Sequence, residues 1–320
     1  EACGIRIVLD GVFAHTGADS RYFNRLGTYD SVGAYQSRQS PYASWYTFRR
    51  WPDDYESWWG FDTLPNVREL DEGYLDFIIR GEDAVCAHYL RQGTSGWRLD
   101  VADELPMPFL RQLRARVKAE NPDAILLGEV WEDASRKLAY NELRSYCLGD
   151  TLDSVTNYPL RDGIVGFFLG RLDARQLKRI LDSQYENYPK AFYCSLMNLL
   201  GSHDKPRILN VLAGADEGDV PREQRAFRPL TEEQYALGRE RLIRAWRFVC
   251  ALPGMPCLYY GDEAGMQGGD DPFCRGTYPW GREDQSLLLK IRAANRERLA
   301  SPVLREGEVQ LIAESPDRLT

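Results

Sequence analysis

The sequence lacks any run of 18 or more apolar residues, any Cys-x-x-Cys pair and any excess of positive charge. The first absence argues against a membrane-spanning helix. The second, together with three histidines that do not cluster with cysteine along the chain, argues against a zinc site. With 40 Lys and Arg against 48 Asp and Glu, the net charge of −8 does not favour nucleic acid and fits a neutral or small substrate better.

No positively charged and then apolar leader opens the chain, so no secretory signal is visible. The seven cysteines, at positions 3, 86, 147, 194, 250, 257 and 274, are odd in number and lie mostly in apolar runs. Such a distribution is typical of buried thiols rather than of a disulfide framework. Reduced thiols indicate a cytoplasmic protein.

Strand-like and helix-like runs alternate over most of the 320 residues, which suffice for one or two domains with a large core. This alternation is typical of βαβ units around a parallel sheet and predicts an α/β fold with six such units. The predicted strands are 4–10, 96–100, 124–130, 153–158, 192–201, 256–260 and 308–314. The predicted helices are 74–90, 106–120, 134–147, 160–169, 174–184, 232–250 and 285–299.

Residues 11–73 show no long periodicity and are rich in Gly, Ser, Asp and aromatic residues. A segment of this length inside a compact domain is usually functional or a small subdomain. Its aromatic residues crowd positions 42–61. Two interpretations stay open: the rings pack the inserted segment locally, or they form a stacking platform for the apolar faces of sugar rings.

Three acidic residues, Asp100, Glu129 and Asp204, each follow a hydrophobic strand-like run. A carboxylate at the mouth of a buried strand is costly to desolvate, so it usually has a partner or a chemical role. In a β/α barrel the strand ends point into the active site. Two carboxylates are the minimum for cutting a glycosidic bond, and a third can stabilise the cationic transition state.

Six short segments, in order along the chain, resemble the signatures of the α-amylase family, glycoside hydrolase family thirteen. They are residues 10–15 (DGVFAH), 64–67 (LPNV), 96–104 (GWRLDVADE), 128–131 (GEVW), 202–204 (SHD) and 254–263 (GMPCLYYGDE). The resemblance implies a (β/α)8 TIM barrel that begins here at the third barrel strand. Residues 58–65 and 271–280 further resemble the neopullulanase, cyclomaltodextrinase and amylopullulanase branch.

The resemblance also implies a domain organisation. Residues 1–14 and 74–300 would form a partial barrel with strands three to eight, 15–73 an inserted B domain, and 301–320 the start of a C-terminal β domain cut after one strand. The chain is therefore expected to be a fragment of a longer gene product or the product of a truncated gene. A sheet lacking two βα units would expose edges and core, so the isolated chain is expected to fold poorly or to be inactive.

The resemblance implies a retaining mechanism carried by the three carboxylates. Asp100 would be the nucleophile, kept ionised by Arg98 two residues earlier on the same side of the strand. Glu129 would be the general acid, with a pKa raised by Asp100 and Asp204, and Asp204 would bind sugar hydroxyls. Each has a plainer interpretation: a structural Arg–Asp pair, an ordinary strand-end glutamate, and an N-cap before Pro206.

Further substrate contacts are implied with the same resemblance. His15 and His203 would hydrogen-bond the sugar in the central subsite, although a lone histidine is more often structural. Trp131 would stack on the leaving-group side. Asp271 and Arg275 would line the donor end of the cleft.

The chain departs from the family pattern at three positions. Ala14 stands where an asparagine often helps to bind calcium, and a methyl group cannot ligate a metal that prefers oxygen. No cofactor is required and no metal-binding residue is predicted; the usual calcium site is in doubt and calcium dependence stays open. Arg68 and Lys205 replace a common Asn and Thr and could alter the fit of the substrate.

The leading hypothesis is a retaining hydrolase of α-1,4 and, as an option, α-1,6 bonds in starch-derived oligosaccharides, pullulan or cyclodextrins. A transglycosylase of the same family is the near alternative, and an inactive carbohydrate-binding relative or a non-functional fragment is the distant one. The expected partner is an α-glucan, with no nucleic acid or membrane. A homodimer of the full-length protein is left open.

Overall fold

The computed structural model describes residues 3–215, 221, 224 and 229–320, and it divides into two compact units. The first unit is Glu1–Val130 with Ala134–Val155, and the second is Trp131–Asp133 with Thr156–Thr320. Within the described ranges, no helix is both long and apolar enough to cross a bilayer.

The strands are short and the helices longer, as in other α/β folds. The strands are β1 Leu9–Gly11, β2 Phe48–Arg50, β3 Asp54–Tyr55, β4 Gly96–Leu99, β5 Ile125–Gly128, β6 Leu138–Ala139, β7 Glu142–Leu143, β8 Ser154–Val155, β9 Met197–Leu199, β10 Met255–Cys257, β11 Ala313–Ser315 and β12 Arg318–Leu319. The α-helices are Glu72–Leu75, Val85–Arg91, Met107–Glu120, Tyr158–Phe168, Ala174–Asn187, Lys190–Tyr193, Ile208–Leu212, Glu232–Ala251, Gln285–Ala300 and Pro302–Glu306.

The first unit is built on a parallel sheet of order β1-β4-β5-β8. Asp10 pairs with Arg98, and Leu99 pairs with Gly128, so Asp100 and Glu129 follow directly after two adjacent strands. Gly128 allows this close packing, since a Cβ there would lie 2.5 Å from Leu152. The predicted parallel strands 96–100 and 124–130 are confirmed.

The inserted segment 15–73 packs around an aromatic core. Phe23 is fully buried and contacts four other rings at 4.7–5.9 Å, among them Tyr46 and Tyr55. Trp45 is buried against Tyr74 at 5.1 Å. The interpretation of local packing therefore holds for the buried rings of Trp45, Tyr46 and Tyr55, while Trp51 and the rings at 58–61 are treated below.

In the second unit, β9 and β10 pair in parallel, and Thr156 forms a parallel bridge to Met197. Helices Tyr158–Phe168, Glu232–Ala251 and Gln285–Ala300 bury their apolar sides in one core. Trp246 lies in that core, and its Nε1 donates to Asn295 Oδ1 at 2.7 Å, so the polar end of the ring is also satisfied. The helices predicted at 160–169, 174–184, 232–250 and 285–299 are confirmed.

The helix predicted at 134–147 is wrong. The segment contains the antiparallel hairpin β6–β7, in which Leu138 pairs with Leu143. Tyr140 and Asn141 at its tip have φ of 51° and 60°. Two consecutive residues in the left-handed region form the tight turn that suits a two-residue hairpin and cannot belong to a right-handed helix.

The single helix predicted at 74–90 is interrupted. The backbone N–H of Gly81 bonds to the carbonyl of Asp76, five residues back, which closes a π-helical turn over Asp76–Arg80. Gly81 then leaves the helix with ψ of 157°, and helix Val85–Arg91 begins after it. A Cβ at Gly81 would lie 2.7 Å from the Asp76 oxygen, so the close turn depends on glycine.

Five other predicted strands are shorter than expected or displaced. Only Leu9–Gly11 of the first one pairs, and Phe192 and Tyr193 belong to a helical turn before β9. Of 153–158 only Ser154–Val155 forms a strand, with Tyr158 opening a helix, and Met255–Cys257 replaces 256–260. In 308–314 the ladder starts at Ala313, because the turn at Pro316 and Asp317 sets the pairing of β11 with β12. Two paired strands therefore stand where one was expected.

Candidate active site

One guanidinium connects carboxylates at the ends of three neighbouring strands. Arg98 Nη1 lies 2.8 Å from Asp10 Oδ1 and 2.7 Å from Asp100 Oδ1, and Nη2 lies 2.9 Å from Glu129 Oε1. Burial by itself would lower the pKa of Arg98, but the charges of Glu129 and Asp10 raise it above its ordinary value. Arg98 therefore stays cationic between these carboxylates.

Glu129 is the most buried of these acids, with 4% of its surface exposed. Its Oε2 accepts a hydrogen bond from the backbone N–H of Val101 at 2.9 Å, so both carboxylate oxygens have a donor. Val101 has φ of 39°, which is unusual for a β-branched residue. Such strain persists where the surroundings impose it, often at functional sites. Here it directs the N–H at Glu129.

His15 lies in the same unit as this cluster and is held by the inserted segment. It forms an antiparallel bridge with Asn66, and its ring lies 5.4 Å from Trp58. Burial lowers the pKa of His15, against the opposing charges of Asp100 and Glu104. The ring is therefore neutral at pH 7, and its buried Nδ1 has no hydrogen-bond partner in the described part of the chain.

The aromatic residues at 58–61 differ from those packed around Phe23 because they face solvent. Trp59 is 78% exposed and Phe61 57% exposed, and Phe61 stacks on Trp58 at 6.1 Å. Trp59 Nε1 donates to Glu104 Oε1 at 2.9 Å, which fixes the indole. These rings have the exposure that a sugar-stacking platform requires.

In the second unit, Asp204 is held by two neighbours. Arg275 Nη2 lies 3.5 Å from Asp204 Oδ1, and His203 Nε2 lies 3.2 Å from Asp204 Oδ2 without hydrogen-bond geometry. Arg275 also contacts Asp271 Oδ1 at 2.6 Å and the carbonyl of His203 at 3.1 Å. The N-cap interpretation of Asp204 is wrong, because the helix that follows is preceded by Arg207 at the cap position.

Trp131 stacks face to face on Tyr158, with centroids 4.2 Å apart and planes within 2°. Lys205 Nζ lies 4.5 Å from the Trp131 centroid and 5.8 Å from that of Tyr158. Tyr158 is itself buried and hydrogen-bonds Ser202 Oγ at 3.1 Å. Trp131 is 36% exposed, so it keeps surface for a ligand on a rigid support.

Ala14 cannot supply the side-chain oxygen that a calcium ligand at this position would need. The Ala14 side chain is a buried methyl group, and its carbonyl already accepts from the Val67 N–H at 3.1 Å. Throughout the described ranges, no group of three or more His, Cys, Asp or Glu could hold a metal. No step is therefore assigned to a metal.

Comparison with known proteins identifies the family. Residues 1–298 match the family described as the α-amylase catalytic domain. The chain belongs to the α-amylase family. Among its relatives, the chain is 38% identical to an amylopullulanase from Thermoanaerobacter thermohydrosulfuricus, over 99% of this chain and 22% of that protein. It is 33% identical to a cyclomaltodextrinase from Geobacillus thermopakistaniensis, over 97% of this chain and 47% of that protein.

The fold is shared with solved structures of the same family. A cyclic α-maltosyl-(1→6)-maltose hydrolase from Arthrobacter globiformis aligns with a TM-score of 0.81 and 29% identity, covering 99% of this chain and 64% of the other. The predicted fold class, an α/β barrel of α-amylase type, is thereby confirmed. The chain spans less than two thirds of each of these relatives.

Several contacts at the site were not predicted from the sequence. The Val101 backbone carries no sequence signal, because its role depends on an unusual φ angle. Glu104 belongs to one signature, but its ring partner Trp59 lies 45 positions away along the chain. Lys205 follows another signature, and its ring partner Trp131 lies 74 positions away. Tyr158 follows a buried strand like many structural tyrosines, and only its stacking distinguishes it.

Proposed function

We propose that this chain carries the catalytic machinery of a retaining α-glucan hydrolase. The observation that supports this best is the bridge from Arg98 to Asp10, Asp100 and Glu129. It brings two catalytic candidates into contact with one buried cation. The relatives named amylopullulanase and cyclomaltodextrinase support α-1,4 and α-1,6 glucosidic bonds in starch-derived chains, pullulan or cyclodextrins as the substrate class.

Asp100 acts as the nucleophile in this proposal. Its Oδ2 attacks the anomeric carbon while Glu129 donates a proton to the departing glycosidic oxygen, so the C–O bond breaks as the glycosyl ester forms. Glu129 then takes a proton from water as the water oxygen attacks the anomeric carbon and the ester bond to Asp100 breaks, which releases the sugar with its original configuration. Because Arg98 and Val101 contact both oxygens of Glu129, one of these contacts must loosen for the carboxyl to hold the proton that it donates.

The remaining residues bind substrate in the proposal. Neutral His15 donates to a sugar hydroxyl, and Trp58, Trp59 and Phe61 stack on the glucan. Asp204 and His203 bind hydroxyls of the distorted ring, Trp131 stacks on the leaving-group side, and Arg275 with Asp271 lines the donor end. The expected separation of roughly 5–5.5 Å between the Asp100 and Glu129 carboxyl groups also remains a prediction.

We also propose a cytoplasmic location, on the ground that the described cysteines are free thiols. Of these, Cys86, Cys147, Cys250 and Cys274 are buried. The family's usual calcium site stays doubtful because Ala14 offers only a methyl group there, and calcium dependence remains a question for measurement with added and chelated calcium. A homodimer of the longer protein, and the domain boundaries given from the sequence, remain predictions.

The deciding experiment measures reducing-sugar release from pullulan and maltodextrin by the full-length protein and by its Glu129→Gln variant. Activity in the parent and its loss in the variant, with glucan binding retained, support the proposal. If the parent releases no sugar but still binds glucan, the chain is a carbohydrate-binding relative. Transfer products longer than the substrate would instead identify a transglycosylase.

A further inference from the structure

The inserted segment contains a cavity that shares no residue with the proposed active site. Its volume is about 390 Å³, within the range of small-molecule sites, and it is partly open to solvent. The lining residues are Ala34, Arg38, Ala43, Ser44, Phe48, Arg49 and Trp51. They include two aromatic rings and two guanidinium groups but no carboxylate.

The walls of the cavity are held in place before any ligand arrives. Trp51 Nε1 donates to the carbonyl of Ala34 at 3.1 Å. Phe48 stacks on the buried Phe23 with centroids 5.9 Å apart and planes within 7°. A preformed aromatic wall loses little conformational entropy on binding, which favours a ligand with a flat apolar face.

The two arginines of the cavity differ in whether they already contact acceptors in the protein. Arg49 Nε lies 2.9 Å from Asp54 Oδ1, and its Nη2 donates to the carbonyl of Tyr55. Arg38 is exposed and lies over the Trp51 ring at 5.6 Å, and no carboxylate of the described residues is within ion-pair distance. Its planar set of N–H donors is thus available beside an aromatic face.

We propose that this cavity is an accessory α-glucan-binding site, an inference that rests on the proposed function. A glucosyl unit has an apolar face for Trp51 and hydroxyl oxygens that accept hydrogen bonds from Arg38. Because Arg49 already contacts Asp54, Arg38 is the lining guanidinium that is left to donate to the hydroxyl groups of a sugar. A polysaccharide could occupy this site and the catalytic cleft at the same time. Binding at one site would then raise the effective concentration of the chain at the other and strengthen overall binding.

The test separates binding at the cavity from catalysis. The measurement is the retardation of the full-length protein in native gels that contain amylopectin. The reference protein carries Glu129→Gln alone. The three test proteins carry Glu129→Gln together with Arg38→Ala, Trp51→Leu or Arg50→Ala. Arg50 is the matched control, since it is an exposed arginine of the same strand as Arg49 but does not line the cavity. We expect about fivefold to tenfold weaker retention for Arg38→Ala and no change for Arg50→Ala.

Arg38→Ala removes only an exposed side chain, so it stays informative even if Trp51→Leu fails to fold. With Glu129 restored, kcat/KM of Arg38→Ala on 4-nitrophenyl α-maltoside should equal that of the parent. Equal retention of Arg38→Ala and Arg50→Ala overturns the proposal. If Arg38→Ala weakens retention only in gels with phosphorylated amylopectin, the ligand is an anionic sugar and the proposal is also overturned. A parent that is retained but hydrolyses no maltoside refutes the hydrolase and leaves the accessory site standing.

Discussion

Arg98 in the first unit and Arg207 in the second both contact carboxylates, and their surroundings differ in charge and in access to solvent. Arg98 contacts three carboxylates, and the Asp10 and Asp100 side chains are 57% and 22% exposed. Among the described residues, Arg207 contacts one carboxylate, that of Asp262, and both side chains are almost fully buried. Arg207 also lies 4.3 and 4.7 Å from the ring centroids of Tyr259 and Tyr260.

The difference separates a reactive cluster from a structural pair. Around Arg98 three acids surround one cation, and Asp10 and Asp100 reach solvent, so negative charge is available to an electron-poor sugar carbon. Around Arg207 the charges balance, and the tyrosine rings cover guanidinium nitrogens that have no acceptor among the described residues. We therefore expect substitutions at Arg98 to affect chemistry and those at Arg207 to affect folding.

The largest expected effect is on stability at Arg207. Arg207→Leu leaves the buried Asp262 carboxylate without its cation, and at pH 8 it should lower the free energy of unfolding by about 3–5 kcal/mol. Urea denaturation measures this. Arg244→Leu breaks an exposed pair with Glu240 and is the control, with an expected change below about 0.5 kcal/mol. Similar losses in both variants would contradict a special role for the buried pair.

Asp262 should also make stability depend on pH. Burial raises its pKa to about 7, against the lowering effect of Arg207, whereas the unfolded value is about 3.9. Between these values the native state holds a proton that the unfolded state has released, so the contribution of Asp262 to stability is most favourable below pH 4 and falls as pH rises to 7. The expected loss from this group is on the order of a few kcal/mol.

Asp262→Asn should remove this slope in urea denaturation between pH 5 and 8. Glu69, whose pKa burial raises to about 7, contributes a slope of the same sign to both proteins. The difference between the two proteins therefore isolates Asp262. Parallel stability curves for parent and variant would show that Asp262 is ionised throughout this range.

Arg98→Lys tests the other side of the comparison. Lysine keeps the charge but lacks the planar fork that contacts Asp10, Asp100 and Glu129 together. We expect kcat on maltodextrin to fall about 10²-fold through misplacement of the reacting groups, with little change in Tm. Arg207→Lys is the matched control. Its main effect should be a lower Tm, and its effect on kcat should be the smaller one. The reverse pattern would assign Arg98 a structural role.

The smallest expected effect is at Lys205, beside the Trp131 and Tyr158 stack. Lys205→Thr removes a cation worth about 0.5–1 kcal/mol at an exposed ring, so KM for maltoheptaose should change about twofold to fivefold while kcat is retained. Lys205→Arg should restore the parent value. An unchanged KM in Lys205→Thr would show that the cation does not position Trp131 for substrate.

Local pattern predicted the strands that end at Asp100 and Glu129, because alternating hydrophobic and amphipathic runs determine which segments are buried. It failed at 134–147, where composition favours a helix but Tyr140 and Asn141 adopt positive φ. It also failed at Gly81, where the backbone N–H bonds to the carbonyl of Asp76, five residues back, and interrupts a helical pattern. In both cases a backbone angle decided the outcome, and side-chain hydrophobicity does not encode it.

The sequence by itself determined the family, the α/β alternation and the acids at the strand ends, because short signatures and burial periodicity are local properties. Tertiary structure decided which groups share a partner: one arginine for three carboxylates, one glutamate for Trp59, and a lysine beside Trp131. It also divided the aromatic residues of the inserted segment into a buried core and an exposed platform. These contacts join residues far apart in the chain, so they exist only once packing has fixed their distances.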